Sequence, residues 1–357
     1  MLFYGVLCGA APDFIWMVIL RFLTGAGVAA MGPAITYYLE FLSCEVRGRA
    51  AYLMVICISF GGAYAAILGL VLLHTAGWHW WLSACALPNV VFLIISIWLP
   101  ESPKYYLACG DIAKAKESIK FVAQFNNVKL EEFELVKHSK HKRGQIHELF
   151  HVPYLYLTLV IICAWISTSF IYYGIILVAT QLIEYDSNCP ENIQTVYQTH
   201  CNSELSTGNL VKILFGSFCE VPGIIICLFL IDSLGRKPVM FITNGVFMLS
   251  CLLLLICMDS FPMTVLLYIG RSSGTNALQV PYLYTPEVYP SEIRAIASGV
   301  GVCFGCISAF VTPYVAQVLM LVSVKSGLCV YAVFGLFGMV LALLFPVETK
   351  GRNLVEY

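Results

Sequence analysis

Long apolar runs broken by short polar punctuation dominate this 357-residue chain. A helix needs about 20 apolar residues to cross a hydrocarbon core of about 30 Å. Runs of that order fall at approximately 14–42, 50–73, 81–99, 154–183, 207–231, 238–258, 262–286, 295–322 and 327–346, so nine spanning helices are predicted. A further run, residues 1–11, would rise only about 16 Å as a helix. It ends at Pro12-Asp13 and lacks the basic n-region of a signal peptide, so it reads as the second half of a helix whose first half is missing. The pattern changes between 104 and 148. There Asp111 can cap an amphipathic helix in which Ile112, Ala115, Ile119 and Val122 share one face, lying under the bundle and followed by a basic linker around Lys137–Arg143.

The punctuation repeats. Glu40, Arg47 and Glu101 reappear as Glu287, Arg294 and Glu348, and Tyr37 as Tyr284, every pair 247 residues apart. A register held without insertion from Tyr37 to Glu101 marks one unit used twice. The loop Asp232-Ser-Leu-Gly-Arg236-Lys237 has no twin, because 232 − 247 falls near position −15; about two and a half spans are absent from the first unit. The expected organisation is a truncated N-terminal helix bundle (1–99), a cytoplasmic linker with the amphipathic helix (100–152), a C-terminal six-helix bundle (153–348) and a cytoplasmic tail (349–357).

Composition supports a membrane protein. The chain is 59% hydrophobic and 11% charged, against about 45–50% and about 25% in soluble chains. Sixteen of the twenty Lys and Arg fall in the segments holding Arg47/Arg49, Lys104–Arg143, Arg236/Lys237, Arg294 and Lys350/Arg352, whereas the opposite loops hold only Lys325. The positive-inside rule places the first set in the cytoplasm. The basic linker is read as part of that bias rather than as a nucleic-acid or calmodulin site. Most of the fifteen cysteines lie in apolar runs and act as small hydrophobes. Cys189 and Cys201, alone in the external loop 184–206, are the disulfide candidates.

Asp232-Ser-Leu-Gly-Arg-Lys follows the pattern D-R-x-G-R-[RK] with Ser233 in place of the first basic residue. Together with Glu40-x6-Arg47, Glu287-x6-Arg294, Pro100-Glu-Ser-Pro and Pro346-Val-Glu-Thr-Lys-Gly-Arg, it resembles the cytoplasmic motifs of the major facilitator superfamily. Ser169-Phe-Ile-Tyr-Tyr-Gly174 and Tyr284-Thr-Pro-Glu-Val-Tyr-Pro are similar to the branch uniting vesicle 2-related proteins with organic cation and anion transporters. The Q-Q-x-x-G-x-N of sugar porters is not present. The resemblance implies an all-α membrane fold of two pseudo-symmetric six-helix bundles, here without about the first two and a half helices, and a substrate site between the bundles near the midplane. It also implies a multi-pass protein of the secretory or synaptic vesicle membrane, with the plasma membrane as the alternative, and a monomer.

Four charges lie inside predicted spans. Arg21, Lys212, Glu220 and Arg271 would each cost about 2.5–3.5 kcal/mol at a helix centre unless paired or hydrated. Glu220, beside Pro222-Gly223, is the candidate proton carrier; the competing reading is a permanent ion pair with Arg271 or another cation. Lys212 and Glu220 are eight residues apart, about 12 Å along a helix, and cannot pair directly. Lys212 and Arg271 are candidate substrate-cavity residues, whereas the resemblance implies a structural role for Arg21. Trp165, Ser169, Tyr172, Tyr173, Gln279 and Tyr282 form a candidate cavity wall able to hold organic cations or flat rings, against the alternative of ordinary helix packing. Glu40, Arg47, Glu101, Asp232, Arg236, Lys237, Glu287, Arg294 and Glu348 form a candidate cytoplasmic gating network.

No glycine-rich phosphate loop, metal-spaced His/Cys cluster or nucleophile with a matching base occurs, so neither an enzyme nor a cofactor is expected. The partners expected are the lipid bilayer and a small organic solute. The leading reading is a secondary transporter working by alternating access. The alternatives are a vesicle-membrane protein that binds a ligand without moving it, and an inactive short form.

Overall fold

The computed structural model describes residues 1–28, 34, 37, 38, 40–42, 46–130, 133, 135, 144–185 and 207–350, without the side chains of residues 47, 108, 184, 185, 291, 292 and 321. Its helices are α1 (Leu2–Cys8), α2 (Phe14–Val28), α3 (Arg47–Leu72), α4 (Trp78–Cys85), α5 (Pro88–Ser96), α6 (Pro103–Cys109), α7 (Ile112–Phe125), α8 (Leu155–Tyr185), α9 (Thr207–Phe218), α10 (Glu220–Ser233), α11 (Arg236–Leu253), α12 (Ser260–Val288), α13 (Ser291–Pro313) and α14 (Val324–Leu344). Among the described residues, six helical segments are long and apolar enough to cross a membrane, and Phe14–Val28 is a shorter apolar helix. α12 crosses the same layer but carries Arg271, Ser272, Ser273, Thr275, Asn276 and Gln279, and these polar side chains turn inward.

The apolar runs break where local chemistry demands it. Pro88 opens α5 and separates it from α4, because proline lacks the N–H that would continue α4. The run 207–231 divides at Cys219, three residues before Pro222, into α9 and α10. After Pro313 the chain widens into a π-helical turn, Tyr314–Leu319. The amphipathic α7 forms as expected, and Asp111 caps it by accepting the Lys114 N–H at 3.1 Å. That bond, with the Lys114 ammonium, holds the Asp111 carboxyl below its ordinary value.

α8, α11, α12, α13 and α14 pack around two joined cores, one centred on Trp165, Tyr284 and Phe345, the other around Ile171, Phe247 and Tyr331. α10 packs on α12, α9 meets α12 through the side chains of Tyr268 and Arg271, and both α9 and α10 lie along α3 on their other side. The α3 seam is straight and antiparallel. Gly48 faces Asp232, Ser59 faces Glu220, Gly62 faces Ser217 and Gly69 faces Leu210, so paired positions sum to 279 or 280 throughout. From Gly48 to Gly69 is 21 residues, about 31 Å of helix. The contact therefore runs the depth of a bilayer. Small residues on α3 let the backbones approach closely enough for short side chains to meet.

The 247-residue repeat is reproduced in hydrogen bonds. Tyr37 donates to the Pro100 carbonyl, and Tyr284 to the Val347 carbonyl at 2.8 Å. Ser102 donates to Glu40, and Thr349 to Glu287 at 2.5 Å. All four pairs keep the same offset, so in each half the end of a late helix is tied to the same place on an earlier one.

Two outcomes are expected. In Gly174→Ala the added methyl overlaps the Tyr331 ring, an overpacking worth about 1–3 kcal/mol, and thermal unfolding of the detergent-purified protein should shift down accordingly. The Asp111 cap stabilises α7 above the ordinary aspartate value and loses that contribution as acid protonates it. Hydrogen exchange in the first turn of α7 should therefore rise in acid, and should rise at neutral pH in Asp111→Ala.

Candidate functional site

Two polar centres lie along the α3 seam. The first is buried within the membrane-spanning layer. The Glu220 carboxylate, on the first residue of α10, accepts from Arg271 Nε of α12 at 2.5 Å through Oε1 and from Ser59 Oγ of α3 at 2.9 Å through Oε2. Arg271 Nη2 also donates to Ser217 Oγ of α9 at 3.3 Å. The side chains of Glu220 and Arg271 are 3% and 13% exposed, so both charges are nearly withdrawn from solvent and each is the other's compensation. One cluster thus draws on α3, α9, α10 and α12. The break at Cys219 starts α10 at Glu220 and places the carboxylate against the seam.

Around it lie the aromatics. Tyr172 is within electrostatic reach of Glu220, Arg271, Tyr173 and Tyr282. Its ring meets that of Tyr173 edge-on at 4.9 Å, and Trp165 meets Tyr282 edge-on at 4.4 Å. Tyr173 is exposed, whereas Tyr172 and Tyr282 are half-buried. Trp165, Ser169 and Gln279 are instead buried in the bundle. Trp165 donates Nε1–H to Thr285 Oγ1 at 3.1 Å and is held against Gly301 and Gly305 of α13, so it braces the wall from behind. Lys212 lies half-buried on α9, where its carbonyl accepts from Tyr268 at 2.7 Å. Arg21 is exposed on α2.

The second centre lies at the end of the seam where Gly48 meets Asp232. Arg236 grips Glu287 through two parallel bonds, Nε to Oε2 at 2.9 Å and Nη2 to Oε1 at 2.6 Å, the bidentate geometry that makes arginine–carboxylate pairs strong. Glu348 accepts the backbone N–H groups of Arg236 and Lys237 at 2.8 and 3.0 Å, placing a carboxylate at the positive end of α11. Lys237 Nζ reaches the Phe345 carbonyl at 2.6 Å. Gly235 makes this closure possible: its φ is +102°, and a Cβ there would press on the Glu348 carboxylate. The bonds described so far at this centre lie within the C-terminal half. The crossing is made by Arg49 of α3, which binds Asp232 at 2.8 Å. Gly48 allows that approach.

The sequence-selected network is therefore only partly one unit. Arg236, Lys237, Glu287 and Glu348 meet directly, and Asp232 joins through Arg49. Glu40 and Glu101 gather at Ser102 in the other half. Arg294 donates Nε–H to the Tyr289 carbonyl at 3.4 Å. The side chain of Arg47 lies outside the described residues, as do Cys189 and Cys201. Ser59, Ser217, Arg49, Ser102 and Thr349 were not among the selected residues. The last two were within reach of the repeat, since a hydroxyl recurs at positions 102 and 349, but no sequence spacing marks Ser59 or Arg49.

The arrangement is that of the major facilitator fold, with helices from both halves enclosing buried polar groups. Two structures of the xylose transporter XylE share it. The proton:xylose symporter XylE bound to 6-bromo-6-deoxy-D-glucose superposes with a TM-score of 0.69 at 19% identity, covering 99% of this chain and 80% of that one. A partially occluded inward-open form of XylE from E. coli gives 0.57 at 18%, with the same coverage. The whole chain, residues 1–357, matches the sugar (and other) transporter family, and it belongs to that family. Similar relatives include the synaptic vesicle 2-related protein of Xenopus laevis, 34% identical over 99% of this chain and 66% of the relative, and the putative transporter svop-1 of Caenorhabditis elegans, 32% identical over 99% and 68%. The chain thus spans about two thirds of the length of these relatives. It is a multi-pass membrane protein of a transporter family.

Removing one member of the buried pair strands the other. Glu220→Leu is expected to cost about 3–5 kcal/mol of stability, read as a lowered unfolding midpoint in detergent. Glu220→Leu with Arg271→Met replaces both charges by apolar groups and should recover most of that loss.

Proposed function

We propose that this chain carries the greater part of a secondary transporter for a small organic solute, working by rocking its two halves about the Glu220–Arg271 centre. The observation that carries the reading is the hydrogen bond from Ser59 of α3 to the Glu220 carboxylate, which ties the seam between the halves to a charge buried in the layer where solute would cross. With Glu220 and Arg271 neutralising each other, the closed centre has no net charge. It suits an uncharged or zwitterionic solute with a flat face for Tyr172, Tyr173 and Tyr282. Arg271 is the group that a solute carboxylate or hydroxyl would engage by competing with Glu220.

Glu220 is the proposed coupling residue. Protonating it removes the charge that holds Arg271 and weakens the Ser59 bond, so proton binding and release of the seam are the same event. The exposed Arg49–Asp232 pair adds a cytoplasmic contact between the halves; exposed pairs of this kind are worth about 0–1 kcal/mol, weak enough to open in each cycle. The names of the relatives support placement in a vesicle membrane, with the plasma membrane as the alternative.

The test is transport by the full-length protein in proteoliposomes, screened with polar aromatic and zwitterionic solutes. Solute counterflow at matched pH should survive in Glu220→Gln, while uptake driven by a pH gradient should be lost. Gradient-driven uptake unchanged in Glu220→Gln would remove Glu220 from coupling. Saturable binding without counterflow would replace the transporter with a protein that holds its ligand.

A further inference from the structure

A cavity lies between α10, α11 and α12, apart from the Glu220 carboxylate. Its volume is about 510 Å3, and its walls include Pro222, Ile226, Leu230, Ile242, Val246 and Ile269. Ile226 is 59% exposed, and Ile242, Val246 and Ile269 are exposed at the rim, so the mouth opens on the outer surface of membrane-spanning helices. In a bilayer that surface meets hydrocarbon. No charged side chain lines the cavity.

Its polar groups are nearly all engaged. Ser273 donates to the Gly270 carbonyl at 2.9 Å, Thr243 to Val239 at 2.8 Å, Tyr268 to Lys212 at 2.7 Å and Ser272 to the Glu220 carbonyl at 3.4 Å. Asn276 differs. It is 1% exposed, its Nδ2 donates to the Ser272 carbonyl at 2.8 Å, and its Oδ1 is buried with no hydrogen-bond partner. A buried acceptor left unmet is costly and calls for a donor. Asn276 also sits deep, 16 residues from Ser260 and 12 from Val288, roughly 24 and 18 Å along α12. A lipid whose polar head stays at the interface cannot bring its donor there.

We propose that this cavity is a binding site for an uncharged apolar alcohol or phenol that enters from the hydrocarbon core, turns the buried Asn276 amide toward the cavity, and donates its O–H to Asn276 Oδ1. The volume fits a compact ligand, the walls take its apolar body, and Asn276 supplies the one directional contact. The site stands independently of the transport reading. Occupancy would nevertheless be felt at the first centre, because Gly223 of α10 packs directly on Ser272 and Asn276.

The experiment uses the full-length protein in lipid nanodiscs and an alkylphenol bearing a photoreactive diazirine, with adducts located by peptide mass spectrometry. Adducts are expected on the α10 and α12 peptides that contain Ile226 and Ile269. The parent phenol should displace the probe, and its methyl ether, which has no donor, should do so about tenfold less well, the worth of one hydrogen bond to a buried acceptor. Asn276→Leu should erase the difference between phenol and ether. Val246→Trp, which fills the mouth from the outer surface, should abolish labelling even if Asn276→Leu fails to fold. Equal displacement by phenol and ether in the unaltered protein would overturn the proposal, as would labelling confined to other surfaces or a co-purifying phospholipid in the cavity.

Discussion

A single buried carboxylate holds the centre of this protein together. Glu220 is shared between Arg271, which belongs to the same half, and Ser59, which reaches it across the α3 seam. Two charges withdrawn from water cost more than their attraction returns unless the remaining lone pairs and N–H groups are also satisfied. Ser59 and Ser217 supply that satisfaction, and they can do so only because Gly62 and its small neighbours bring α3 against α9 and α10. Close helix approach, hydroxyl placement and charge pairing therefore stand or fall together.

The end of the seam at Asp232 works on a different principle. Its contacts are layered, with a buried bidentate pair, Arg236–Glu287, inside and the exposed Arg49–Asp232 pair outside. The inner layer braces one half internally, through the N-terminus of α11 and the Glu348 carboxylate. The outer layer is the one that crosses the seam. Under the proposed rocking, the halves would part at such weak contacts while the strong ones keep each half folded.

The cavity at Asn276 and the centre at Glu220 share α10 and α12 but face different media. One is polar, charge-balanced and closed by helices of both halves. The other is apolar, uncharged and open to the surrounding hydrocarbon. Ser272 joins them, with its hydroxyl on the Glu220 carbonyl and its own carbonyl on Asn276. A shift of α10 would alter both.

Much of the architecture was legible in the chain because it rests on one-dimensional signals. Apolar runs must match bilayer thickness, Lys and Arg cluster in alternate loops, and an offset of 247 residues recurs between Tyr37 and Tyr284 and between Glu40 and Glu287. Those same residues make matching hydrogen bonds in the two halves. The sequence also singled out Glu220 and Arg271, since a charge inside a span needs compensation. It left open whether they pair, because 51 residues and two chain reversals separate them. Nor does any periodicity distinguish Ser59 from the other hydroxyls in apolar helices, or set Trp165, braced inside the bundle, apart from Tyr173 at its surface. Those assignments depend on the rotation of each helix about its axis and on which helix lies beside it, quantities that only the packed structure determines.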